Sequence, residues 1–124
     1  MGHGDEILIA DANFPATSLI SRCHRLDGIQ ATEALKAVLT LFPLDTFVPA
    51  PALTMEVVGD PNAVPPIVVE FQKMLNEVAN SSVTLQSLER FAFYDRAKTA
   101  FAVIQTGETQ PYGNIILKKG IIVG

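Results

Sequence analysis

The residues best suited to proton chemistry stand early in the chain, in Met1-Gly-His-Gly-Asp-Glu-Ile-Leu-Ile-Ala-Asp-Ala-Asn-Phe-Pro15. His3 lies between glycines, and Asp5 and Asp11 flank the apolar run Ile7-Leu8-Ile9. An imidazole can both take and give a proton near neutrality, because its unperturbed pKa is about 6.5. Neighbouring glycines let the backbone bend and a ligand come close. His3 therefore reads as a general acid/base, or else as an exposed terminal histidine or the scar of a tag. Fully extended, the segment separates Asp5 from Asp11 by about 20 Å. At most one of them can touch a given small ligand.

Arg90 carries a planar fork of donors suited to hydroxyls or carboxylates. On spacing alone, an ion pair with Glu89 or Asp95 accounts for it better. Tyr112-Gly113-Asn114 offers a phenol, a bendable joint and an amide. These serve equally well as a polar rim for a sugar hydroxyl or as a turn into a strand. Phe91, Phe93, Tyr94 and Phe101 read mostly as core packing. Arg22-Cys23-His24-Arg25 lacks zinc-ligand spacing, and adjacent Cys and His side chains rarely align for proton transfer. That stretch reads as a solvated loop. Glycine-rich phosphate loops are missing too, which removes support for nucleotide binding.

These groups need regular elements to hold them. The run at 6–10, bounded by polar residues, predicts a buried strand that Phe14-Pro15 ends. Residues 16–27 lack periodicity and predict a loop, with a short strand near 19–22. Ile29, Ala31, Ala34, Leu35, Val38, Leu39 and Phe42 approximate one helical face, which Pro43 stops. A brief strand at 46–48 and a stronger one at 53–58 precede the turn residues Gly59-Asp60-Pro61-Asn62. Pro65-Pro66 opens a second helix with Ile67, Val68, Phe71, Met74, Leu75 and Val78 on its face. A short strand at 83–85, a helix at 89–100, strands at 101–105 and 114–117, and an apolar run at 121–123 follow. The alternation of strand and helix signals predicts an α/β layer architecture.

Composition narrows the class. A chain of 124 residues predicts one domain, residues 1–124, burying roughly two-thirds of its unfolded surface without metal or disulfide staples. With 48% hydrophobic and 18% charged residues it reads as a packed globule. A net charge of −4 argues against nucleic acid or an anionic membrane as partner. No apolar stretch approaches the ~20 residues that span a bilayer, and the start lacks a secretion-signal pattern. Cys23 is the lone cysteine, which fits a reducing cytoplasm.

Five stretches then occur in register: Met1-Gly-His-Gly-Asp-Glu6, Asp11-Ala-Asn-Phe-Pro15, Arg90-Phe-Ala-Phe-Tyr-Asp-Arg-Ala97, Thr106-Gly-Glu108 and Tyr112-Gly-Asn-Ile-Ile-Leu-Lys-Lys-Gly120. Together they resemble the L-fucose mutarotases, which share a superfamily with D-ribose pyranase. The stretches around His3 and Arg90 favour the fucose branch. The resemblance implies a compact α/β domain with a central mixed sheet flanked by helices. It implies a cofactor-free, metal-free isomerase that interconverts the α and β anomers of L-fucose. His3 is then the catalytic acid/base, and Asp11, Arg90, Tyr112, Gly113 and Asn114 contact the sugar. Homo-oligomers are implied as well, decameric rings among them, with sites close to subunit contacts. Family members carry a helix ahead of Met-Gly-His-Gly-Asp, so this chain is expected to lack it. The rival readings are a D-ribose pyranase-type interconversion of pyranose and furanose, and a non-catalytic monosaccharide-binding protein.

Overall fold

Strand β1 (Glu6–Ala10) runs through the middle of the molecule, and its sequence explains why. Successive side chains of a strand point to opposite faces. Ile7 and Ile9 enter one apolar cluster while Leu8 and Ala10 enter another, so both faces of β1 are covered. A strand buried on both faces reads as a continuous apolar run rather than an alternating one. The computed structural model describes residues 5–15, 23–41, 44, 50–79 and 81–120.

The other strands are β2 (Cys23–Leu26), β3 (Ala52–Met55), β4 (Leu85–Leu88), β5 (Ala102–Thr106) and β6 (Ile115–Lys118). They join β1 in one six-stranded mixed sheet of order β2-β5-β1-β6-β3-β4. β1 pairs in parallel with β5, Leu8 opposite Val103, and antiparallel with β6, Leu8 opposite Ile116. Helices α1 (Ala31–Leu41) and α2 (Pro66–Ala79) cover one face, where Leu35, Ile67, Phe71 and Leu75 pack with Ile9, Ile115 and Leu117. Helix α3 (Arg90–Lys98) covers the other, placing Phe93 and Ala97 among Leu8, Val103 and Ile116. Each fully buried side chain of this size contributes about 1.5–3 kcal/mol. The expected α/β domain with a central mixed sheet is the fold observed.

Local chemistry sets the helix ends. Glu33 reaches back to the Gln30 N–H, half of a capping box. Pro66 occupies the first turn of α2, where its missing N–H costs nothing. The Glu89 carboxylate accepts from the Phe91 and Ala92 N–H groups and starts α3.

Several expected boundaries move, each for a visible reason. Cys23–Leu26 is a strand, not a loop: it pairs in parallel with β5, and its exposed charged side chains suit a sheet edge. β3 stops at Met55 instead of reaching residue 58, because Val57 pairs with Asp60 across a tight turn with Gly59 at φ 83°. β4 begins at Leu85 rather than at residue 83. The Val83 N–H and C=O are taken by the side chains of Asn76 and Gln72 on α2. The strands expected near 19–22 and 46–48 and the run at 121–123 lie outside the described residues, as do Phe42 and Pro43.

Candidate active site

The antiparallel register of β1 and β6 sets Ile9 opposite Ile115, so the residues just beyond these strand ends meet. There Asp11 and Asn114 come together, only 4% and 3% exposed. The Asp11 N–H donates to Asn114 Oδ1 at 2.8 Å, and Asn114 Nδ2 donates back to Asp11 Oδ2 at 3.3 Å. The Gly113 N–H adds a bond to Oδ2 at 3.2 Å, and the Asn13 N–H one to Oδ1 at 3.0 Å. Burial pushes the Asp11 carboxyl above the ordinary aspartate range. Hydrogen bonds from the Asn13, Phe14 and Gly113 backbone and the Asn114 side chain pull the other way.

Tyr112 takes the left-handed backbone conformation, φ 63°. That is a strained choice for a bulky side chain, and such strain gathers at functional sites. Its phenol oxygen accepts the Val58 N–H at 3.1 Å, which helps hold the turn. Gly113 is closely packed: a Cβ would lie 3.0 Å from Glu108 Cγ and 3.1 Å from Ile67 Cδ1, so those side chains would have to give way.

Asp11, Tyr112 and Asn114 border an open cleft of about 270 Å³. Polar atoms come from Asp11, Asn13, Tyr112 and Asn114, and apolar wall from Phe14, Pro15, Met55 and Pro111. Tyr94 lines it too and meets the Phe14 ring edge-on at 5.4 Å. Core packing therefore describes Phe93, which is fully buried, and Tyr94, which packs on the same cluster while lining the cleft, but not Phe91, which is 61% exposed. A buried carboxylate, an amide and phenols around a partly apolar hollow can grip a neutral polyol and orient its hydroxyls. Among the described residues no group of three or more His, Cys, Asp and Glu could hold a metal ion.

Of the site residues expected from sequence, Asp11, Tyr112, Gly113 and Asn114 come together. Arg90 lies apart: it borders a hollow of about 160 Å³ with Glu56 and residues 57–59, its guanidinium 4.6 Å from the Phe91 ring centroid. It pairs with neither Glu89, whose oxygens cap α3, nor Asp95, whose carboxylate lies 3.9 Å from Lys98. Val58 borders this hollow and bonds Tyr112, so the two hollows adjoin there. His3 lies outside the described residues. Asp5 sits at the opposite end of β1 from Asp11, in a hollow with Glu6, Arg96 and Lys118.

The supporting residues escape a reading of spacing. Gln105 Nε2 donates to the Phe14 carbonyl at 2.7 Å and the Asp11 carbonyl at 3.3 Å, holding the loop after β1. The Thr106 hydroxyl donates to the Ala10 carbonyl at 2.8 Å, and the Glu108 carbonyl accepts the Ala12 N–H at 2.9 Å. The stretch Thr106-Gly-Glu108 was the available signal for the last two.

The sequence matches the model of the RbsD / FucU transport protein family over residues 1–122. It is 51% identical over 129 residues to the fucose mutarotase of Mus musculus, covering 98% of this chain and 83% of that protein. The fold superposes on the fucose mutarotase of Streptococcus pneumoniae, solved in complex with L-fucose, with a TM-score of 0.92 and 42% identity. That match covers 99% of this chain and 87% of the other. The Bacillus subtilis RbsD complexed with D-ribose, 24% identical with a TM-score of 0.70, shares the fold over 99% of this chain and 87% of its own.

Proposed function

This chain belongs to the RbsD / FucU transport protein family, and on that footing we propose that it is an isomerase interconverting the α and β anomers of L-fucose. The observation that carries the reading is the buried Asp11–Gly113–Asn114 cluster at the base of a sugar-sized cleft. The relatives' activity and the bound L-fucose of the Streptococcus pneumoniae protein support it.

In this reaction the anomeric hydroxyl gives up its proton and the ring oxygen gains one as the C1–O5 bond breaks. The open aldehyde turns about C1–C2 and the ring recloses, with no net change in protons. His3 serves as base and then acid, a contribution of about 10²–10⁴-fold. Asp11, Asn114, Gly113 and Tyr112 hold the sugar, and Arg90 reaches it from the adjoining hollow. No cofactor is needed for these steps.

β1 runs extended between the Asp5 and Asp11 ends, and His3 precedes Asp5. The simplest arrangement sets His3 of one copy at the Asp11 cleft of another. That asks for a homo-oligomer, such as a decameric ring. A cytoplasmic setting suits the single thiol. Among the described residues no helix is long and apolar enough to cross a membrane.

Saturation-transfer NMR on L-fucose anomers tests the reading, with wild type beside His3→Ala. Wild type should exchange anomers well above the buffer rate, and His3→Ala should fall about 10²-fold or more. L-fucose binding with exchange at the buffer rate would make the protein a binder. Faster exchange of D-ribose forms than of L-fucose would reassign the substrate.

A further inference from the structure

We infer that Glu108 is a positioning residue of the cleft, its buried carboxylate setting Asp11 and Gly113 against each other. This rests on the mutarotase reading. Glu108 is 4% exposed, and no described Lys or Arg forms an ion pair with it. Its Oε1 accepts the Ala31 N–H at 3.1 Å and its Oε2 the Gln110 N–H at 3.2 Å. Ala31 opens α1, so the positive end of that helix offsets the carboxylate charge.

The main chain of Glu108 is tied as firmly. Its N–H donates to Thr106 Oγ1 at 3.2 Å, and its carbonyl accepts the Ala12 N–H at 2.9 Å. Its Cγ lies against Gly113, whose N–H donates to the Asp11 carboxylate at 3.2 Å. Glu108 therefore grips both sides of the Asp11–Gly113 bond: the residue after Asp11 through its carbonyl, and Gly113 through its stem. Its carboxylate fixes that grip to the start of α1. Loosening it lets the two cleft loops drift, and a shift of about 1 Å in reacting geometry can cost 10²-fold in rate.

Glu108→Gln keeps the volume and one acceptor oxygen while losing the charge and the second acceptor. In the folded variant, anomer exchange at saturating L-fucose should fall about tenfold with KM changed by less than about threefold. The Gly113 and Asn114 amide signals should shift. A purely structural Glu108 would lower the melting temperature and leave the rate of folded protein at the wild-type value, which would overturn the inference. Wild-type amide hydrogen exchange decides the matter should the variant not fold. L-fucose should slow exchange at Ala31, Gln110 and Gly113 together, and slowing at Gly113 alone would overturn the inference. A wild type without anomer exchange defeats the mutarotase reading and this one with it. An unchanged Glu108→Gln beside an active wild type defeats this one alone.

Discussion

Asp11 and Asn114, 103 positions apart in sequence, bond to each other in both directions, main chain to side chain and side chain to side chain. The pair is buried, so each half satisfies a group that water cannot reach. Asn114→Ala strands the Asp11 N–H and removes a donor from its carboxylate. The expected cost is about 1–3 kcal/mol in urea unfolding. Anomer exchange should fall about 10²-fold as Asp11 loses its orientation. Near wild-type exchange in a folded Asn114→Ala would remove the pair from the site.

Asp11 also makes stability depend on pH in a predictable sense. Its folded pKa is raised above the ordinary aspartate value, chiefly by burial, so the fold disfavours the ionised form. Its contribution is complete below the unfolded pKa of about 3.9 and is lost as pH climbs through the higher folded value. The melting temperature of wild type minus that of Asp11→Asn should therefore decrease as pH rises above about 4. Taking the difference cancels the titration of groups common to both proteins. A difference that grows with pH would mean that the hydrogen bonds outweigh burial.

The legible parts of this fold are those whose sequence reports burial on two faces. Ile7-Leu8-Ile9 in β1 and Ile115-Ile116-Leu117 in β6 are such runs, and their register alone brings Asp11 to Gly113 and Asn114. β2 was not legible because Cys23-His24-Arg25 holds its place by backbone pairing with β5, which side-chain pattern does not record. Gln105 is a similar case. Its amide matters through carbonyls 91 to 94 positions away, a relation that only the folded sheet creates. Tyr94 packs on the core beside Phe93 and also lines the cleft, and helical spacing alone does not say which of two adjacent rings meets a cleft.

At the far end of β1, Glu6 and Arg96 form a two-pronged ion pair, both contacts 2.7 Å. Glu6 is 8% exposed, while the Arg96 side chain is 42% exposed, which limits what the pair contributes. Arg96→Ala leaves a buried carboxylate alone and should cost about 1.5–3 kcal/mol in urea unfolding. Adding Glu6→Gln should recover part of that loss, because the stranded charge is gone. A double variant less stable than Arg96→Ala would contradict this account.

Glycines 28 and 107 should respond in opposite ways to the same substitution. A Cβ at Gly107 would collide with the Asp27 carbonyl oxygen, a backbone atom that cannot swing aside, whereas Gly28 has no atom within 4 Å of the added carbon. Gly107→Ala should cost about 1–3 kcal/mol or more, and Gly28→Ala should stay within about 0.5 kcal/mol. Equal unfolding midpoints for the two variants would show that the segments next to β2 and β5 move apart freely.

The proposed division of the site between copies makes a sharper demand. Asp5 and Asp11 flank β1 and stand six residues apart, up to about 20 Å along an extended chain, and in sequence His3 comes two residues before Asp5. His3→Ala and Asp11→Asn should each be inactive alone. Unfolded together and refolded as mixed oligomers, they should regain about a quarter of wild-type exchange, the chance that random neighbours supply one intact histidine and one intact aspartate to a shared cleft. Within a single chain no mixture restores a site, because every copy carries one defect. Mixed oligomers, verified by mass, that remain at the buffer rate would therefore return His3 to the cleft of its own chain.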